Sequence, residues 1–211
     1  MNLDHARVAI ETIGPEVATK HFGISPSDEQ ITTINEVPCG EDILAKHRGS
    51  HILVWFPGMS MCNIRDAAVL PIGDGGYVSI FDRDFAKKRR ECGWWLIRSR
   101  PVLGSVNRSW WEQIKLLDES ETVPSSTVIV YAMIAHYKET WEKLFGGHGV
   151  RCQEDGLLDV KDPSVTNVGI GEVFPRGHGG GGRGEIGVFI NHPDRLINWQ
   201  AVGLASSIKL S

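Results

Sequence analysis

The chain contains no apolar run approaching the roughly 20 residues that cross a bilayer as a helix, so no apolar helical membrane span is expected. Cysteine is sparse. Cys39, Cys62, Cys92 and Cys152 lie far apart and form no C-x-x-C pair. That dispersal argues against a zinc site, which needs clustered ligands, and against a disulfide framework. The thiols are expected as small buried hydrophobes, in a reducing compartment such as the cytoplasm or a virion rather than the disulfide-bonded secreted class. Neither charge dominates: 22 Lys and Arg against 26 Asp and Glu give a net charge of −4, which offers no global attraction to nucleic acid or an acidic membrane. Neither G-x-S-x-G nor H-E-x-x-H occurs, and there is no internal repeat. Met1 to Arg7 is hydrophilic and does not read as a secretory signal.

What is present is an ordinary globular composition over 211 residues, enough for one large domain or two small ones. Leu3, Ala6, Ile10, Ile13 and Val17 fall on one helical face, with Gly14-Pro15 as a break or kink and Gly23 as a stop. Gln30 to Val37 is expected as a strand. His51 to Phe56 is a short apolar run ending at Pro57-Gly58 and reads as a buried strand. Ser60 to Val69 reads as helix and Tyr77 to Phe81 as strand. The run Lys87-Lys88-Arg89-Arg90 is short and isolated, and is read as a solvated helix face or turn.

From Gly93 the organisation is clearer. Trp94 to Arg98 is a strand of aromatic and branched residues, stopped by Pro101. Ser109 caps a helix over Trp110 to Leu117. A second helix starts at Pro124, carries Val130, Ile134, Tyr137, Trp141 and Leu144, and ends at Gly146-Gly147. Its β-prone start, Thr127 to Tyr131, leaves a strand open as the alternative there. Strands and loops follow: Val165 to Ile170, Glu185 to Ile190 and Ala201 to Ala205. Between the strands lie segments rich in Gly, Arg, His, Asn and Asp. Polar loops on a regular frame suit a binding surface, because they can change without disturbing a core.

The order strand, helix, helix, then several strands resembles the C-type lectin fold. Gly93-Trp94-Trp95-Leu96-Ile97-Arg98, Val123-Pro124-Ser125, Val130 to Tyr137, Glu142-Lys143-Leu144-Phe145, Val150-Arg151-Cys152 and Leu204-Ala205-Ser206-Ser207 are similar to segments of a family of uncharacterised microbial proteins. That family resembles the variable proteins of diversity-generating retroelements, in which mutagenesis directed at adenines alters surface residues on a C-type-lectin scaffold. The resemblance covers about the last 120 residues. It implies an α+β protein with an N-terminal α/β region over residues 1–90 and a C-type-lectin-like domain over 91–211. It also implies that Trp94 to Arg98 pairs with Val202 to Ser206. The calcium signature and the disulfides of carbohydrate-binding lectins are absent, so a calcium-dependent sugar site does not carry over.

Gly177-His178-Gly179-Gly180-Gly181-Gly182 matches G-x-G-x-x-G by letter, but a strand rather than a helix is expected after it, so a dinucleotide site is not supported. His47 and His51 straddle Gly49-Ser50 and are not expected to form a metal pair. His136 is expected in the core or an interface. His148, His178 and His192 lie near loops without an identifiable nucleophile partner. Asp155, Asp159 and Asp162 lack the order of a calcium loop and read as turn formers. Trp94, Trp95, Trp110, Trp111 and Trp141 are expected in the core.

The expected function is non-enzymatic ligand binding, with no cofactor and no metal. The candidate contacts are Arg176, His178, Arg183, Asn191, His192, Asp194, Arg195, Asn198 and Trp199, meeting an unidentified protein or surface ligand, with no nucleic acid and no membrane span. Homo-oligomerisation through the N-terminal region is an open possibility. The alternatives are a small enzyme using loop histidines on a lectin-like fold, and a structural or virion component. Sulfatase-activating enzymes share the broad topology, but they need a copper-binding cysteine pair that Cys92 and Cys152 do not readily supply.

Overall fold

The structure is a computed structural model that describes residues 2–68, 72–73, 80–82, 84–153, 167–173, 185–191 and 203–210. Leu3–Ala9 forms helix α1, Thr12–Ile13 strand β1 and Pro15–Phe22 helix α2. One helical face with a break or kink at Gly14-Pro15 was expected over this stretch, and the break is what occurs. Two helices form, because Gly14 is extended and Pro15 takes the first turn of α2, where its missing N–H is harmless. Gly23 closes α2 in the left-handed region at φ 66°, as its position predicts.

Asp28–Ile34 is helix α3, which corrects the strand expected over 30–37. The deciding signal is local. Ser27 Oγ accepts from Gln30 N while Gln30 Oε1 accepts from Ser27 N, a reciprocal cap that outweighs the β-branched run after it. Helix α4 spans Glu41–His47, strand β2 His51–Phe56 and helix α5 Met61–Ala68. Every residue of β2 is buried. Strand β3 is Ile72–Gly73, a 3-10 turn covers Ile80–Asp82, and helix α6 is Asp84–Lys87. Of the strand expected over 77–81, residues 77–79 lie outside the described residues, and its end is in that 3-10 turn.

Strand β4 is Gly93–Arg98 and helix α7 is Trp110–Ile114, capped by Ser109 as expected but shorter than predicted. Helix α8 spans Ser126–Thr140, with Ser125 as its cap. It ends before Gly146-Gly147, because Trp141 itself adopts the left-handed capping conformation at φ 61°. The β-prone stretch Thr127–Tyr131 is helical. All residues from Ser126 to His136 are buried, and α8 packs on α2, α5, β1 and β2. A helix covered on all sides can be apolar all round. Strands β5 (Val150–Gln153), β6 (Asn167–Val173), β7 (Glu185–Asn191), β8 (Gly203–Leu204) and β9 (Ser207–Leu210) complete the chain.

The strands form two sheets, ordered β1-β2-β4-β9 and β3-β7-β6-β5-β8. The fold class is α+β. The tail does return to β4, but through Ser207–Leu210 in place of the expected 202–206: Trp94 faces Leu210 and Ile97 faces Ser207. Gly203–Leu204 pairs instead with β5, in parallel. Ala205-Ser206 carries the chain from one sheet to the other, with Ala205 N donating to Arg151 O and Ser206 O accepting from Arg98 N. The expected boundary between residues 90 and 91 falls between β2 and β4, neighbours in one sheet, and a single apolar cluster contains residues from Ala6 to Leu210.

Trp94 and Trp110 are buried and Trp95 is half-buried. Trp111 and Trp141 are 50% and 77% exposed, which corrects their expected core placement. Trp141 sits past the end of α8, where the helical spacing that suggested burial no longer holds. His136 is buried, with Nε2 3.0 Å from Glu11 Oε1 and Nδ1 3.0 Å from Glu142 O. Among the thiols Cys152 is buried, Cys39 and Cys62 are partly covered, and Cys92 is exposed. The expected burial therefore fails at Cys92, which lies in the turn before β4.

Candidate binding site

Among the nine expected contact residues, Asn191 lies in the described part, as the last residue of β7 opposite Asn167. Arg176, His178, Arg183, His192, Asp194, Arg195, Asn198 and Trp199 lie outside the described residues. Their points of attachment are nevertheless defined. The segment 174–184 joins Val173 to Glu185, which face each other at one end of the β6–β7 ladder. The segment 192–202 leaves from Asn191, at the other end. Seven-residue strands rise about 3.3 Å per residue, so these ends are roughly 20 Å apart. Gln153 faces Asn167, so the segment 154–166 shares the Asn191 end. The segments 174–184 and 192–202 therefore join β7 at opposite ends. The sequence did not disclose this, because it depends on which strands pair and in which direction.

At the opposite edge of the fold, the loop between α7 and α8 places Glu121 under the first sheet. Its Oε1 accepts from Arg98 Nε at 2.6 Å and from Ser206 Oγ at 3.0 Å, and its Oε2 accepts from Asp118 N at 3.2 Å. His51 Nε2 lies 3.5 Å from Oε1, longer than an ordinary hydrogen bond. The Glu121 and His51 side chains are each 1% exposed. Burial alone would raise the Glu121 carboxyl, but His51, Arg98 and the Asp118 amide outweigh it and hold that carboxyl well below the usual range.

His47 and His51 meet here, one at the end of α4 and the other at the start of β2. Gly49 turns at φ 78°, Ser50 N donates to His47 O at 3.1 Å, and the two rings lie edge-on 4.5 Å apart. Burial and the neighbouring His51 both lower His47 from its ordinary value. Ser50 Oγ lies 2.9 Å from His51 Nδ1, so hydroxyl, imidazole and carboxylate follow one another. Yet Ser50 Oγ donates to His47 O at 2.9 Å, which directs its proton away from the imidazole. The group works as a pin holding residues 118–122 against the sheet. Among the described residues, no three or more His, Cys, Asp or Glu side chains gather as a metal would require.

A cavity of about 420 Å³ lies on the other side of that loop. One wall is the basic segment 88–91. The facing wall is 122–125 with Val128 from the first turn of α8, and Trp95 contributes from β4. The basic segment is fastened to the end of β2: Arg89 Nε donates to Gly58 O at 3.0 Å, and Arg90 N donates to Met59 O at 3.2 Å. Gly58 sits at φ 77°, and a Cβ there would lie 3.2 Å from both Arg90 O and Cys92 N. The basic run is expected as a solvated helix face or turn, and Lys87, Lys88 and Arg89 are exposed. Its meeting with Trp95 and the start of α8, more than 30 residues further on, leaves no mark in local sequence pattern.

No family model, curated protein or solved structure matches this chain.

Proposed function

We propose that the protein is a non-enzymatic binding protein, with a C-type-lectin-like frame over its C-terminal half that displays polar segments to a protein or surface ligand. The observation that supports this most is the β4–β9 pairing. Two helices, α7 and α8, follow β4, and a second sheet precedes the returning strand. That is the connectivity the resemblance to variable proteins of diversity-generating retroelements implies. The frame is closed by backbone pairing and a shared core, so side chains outside it are free to vary.

Asn191 and the segment that joins it to Gly203 carry six of the nine contact residues: Asn191, His192, Asp194, Arg195, Asn198 and Trp199. Arg195 offers forked hydrogen bonds to carboxylates. Asn and His donate and accept, and Trp199 supplies a rigid anchor of the kind paratopes use. Arg176, His178 and Arg183, in the segment that joins Val173 to Glu185, supply the remaining contacts.

The test has two arms. Sequencing the locus should show a near-copy of the 3′ coding segment, differing mainly at adenines, beside a reverse-transcriptase gene. Alanine at Arg195 and Asn198 should leave stability within about 1 kcal/mol, as for ordinary surface changes, while altering partner binding. A locus without the near-copy removes the retroelement assignment, and strong destabilisation at both positions removes these residues from a contact role.

A further inference from the structure

We infer that the cavity between residues 88–91 and 122–128 is a binding site for a small organic anion, a phosphate ester carrying a planar or apolar body. Its volume of about 420 Å³ falls within the range of small-molecule sites. Lys88, Arg89 and Arg90 set against Glu91 leave a local excess of two positive charges, in a chain whose net charge is −4. A run that was merely solvated would not need an opposing wall. Here a half-buried tryptophan, Val123, Pro124 and Val128 form one.

The hydroxyls of the facing wall already have roles. Thr122 Oγ1 donates to Ser207 O at 3.3 Å, and Ser125 Oγ accepts from Val128 N at 3.4 Å as the helix cap. Recognition of a ligand's polar end therefore falls to the cations. A guanidinium fork matches phosphate oxygens in geometry as well as charge. Arg89 is oriented by its bond to Gly58 O, which reduces the ordering needed on binding. The apolar wall beside Trp95 suits a ring or hydrocarbon body. The start of α8 adds potential of the same sign, but the half-open concavity and the three basic residues that line it carry the assignment. Three basic residues lining one concavity also differ from the extended basic groove with stacked aromatics that tracks a nucleic-acid strand.

The experiment is calorimetric titration of the full chain with AMP, adenosine, inorganic phosphate and a short single-stranded oligonucleotide. AMP is expected to bind saturably, one per chain, and more tightly than inorganic phosphate. Adenosine should bind at least about tenfold more weakly, because it lacks the charge-assisted bonds. The double substitution Lys88→Ala, Arg89→Ala should weaken AMP by about tenfold or more. Since Arg89 also holds Gly58 O, Lys88→Glu at an exposed position gives a second readout that leaves that bond intact, and it too should weaken AMP. Absence of saturable AMP binding, equal affinity for adenosine, affinity unchanged by Lys88→Glu, or binding of the oligonucleotide alone would each overturn the assignment.

Discussion

Arg98 Nε donates to Glu121 Oε1 at 2.6 Å, and that bond ties the end of β4 to the loop leading into α8. The same oxygen takes Ser206 Oγ, at the point where the tail crosses between the two sheets. Glu121 thus joins three distant parts of the chain within one buried carboxylate. A buried charge is tolerated only where partners satisfy it, and removal of one partner is more damaging than the net worth of the pair suggests.

Glu121→Gln should therefore lower stability at pH 7 by about 2–3 kcal/mol, the range for hydrogen bonds to a charged group. The pH dependence has a definite sign. A carboxyl held below its unfolded value of about 4.3 contributes stability that is fully present above that value and is lost as pH falls through it toward the folded value. The gap between wild type and Glu121→Gln should consequently narrow below about pH 4–5. Urea unfolding at a series of pH values measures it, and a gap independent of pH would contradict the role assigned to Glu121.

Gly58→Ala should destabilise more than Gly23→Ala, although both positions have positive φ. At Gly23 the added methyl meets nothing within 4 Å, so only backbone strain of roughly 1 kcal/mol applies. At Gly58 it would also press within 3.2 Å of Arg90 O and Cys92 N, both backbone atoms that cannot swing aside. The expected loss at Gly58 is about 2–3 kcal/mol, at the upper end for single substitutions. Parallel denaturant titrations decide it, and equal losses would mean that residues 90–92 yield without cost.

The tryptophans divide sharply. Trp94 is 2% exposed within the core, so Trp94→Ala should cost about 3–5 kcal/mol. Trp141 is 77% exposed and held at φ 61°, a conformation that favours glycine. It retains one edge-on contact with Tyr137, with ring centres 5.7 Å apart, of the kind worth about 0.5–1.5 kcal/mol. Strain relief and contact loss nearly cancel, so Trp141→Gly is expected within about 1 kcal/mol of wild type. A loss of several kcal/mol there would point to packing of Trp141 against another part of the molecule.

Strand β4, the Ser109 cap and the breaker at Gly14-Pro15 were legible because each is a local signal. The Ser27-Gln30 cap is equally local, and it starts α3 although β-branched Ile31, Thr32 and Thr33 favour a strand. The Trp141 placement failed for a different reason. Periodicity predicts a face only while the helix lasts, and Trp141 ends it. The crossing of the tail between sheets, the Glu121 cluster and the cavity beside Lys88 all join residues far apart in sequence. No pattern within a single segment encodes them. Of the expected contact residues, the pairing of β6 with β7 resolved something the sequence could not: which segments share an end.

The last strand provides the most direct test of how the frame closes. Ser207 N donates to Thr122 O and Thr122 N to Ser207 O, both at 2.9 Å, while Ser207 also faces Ile97 in the β4 ladder. Ser207 thus sits between β4 on one side and the loop before α8 on the other. Proline at this position removes the N–H that Thr122 O accepts, in a place flanked on both sides, where a strand does not tolerate proline. Ser207→Pro should cost about 3 kcal/mol or more, by analogy with proline in a helix interior. Ser207→Ala keeps the backbone bonds and should cost far less. If β9 closes the sheet, hydrogen exchange in the proline variant should accelerate first at the β4 amides facing β9, and at Thr122, whose partner strand is displaced. Exchange that stays unchanged at Leu96 and Thr122 while global stability falls would mean that the sheet holds without its final strand.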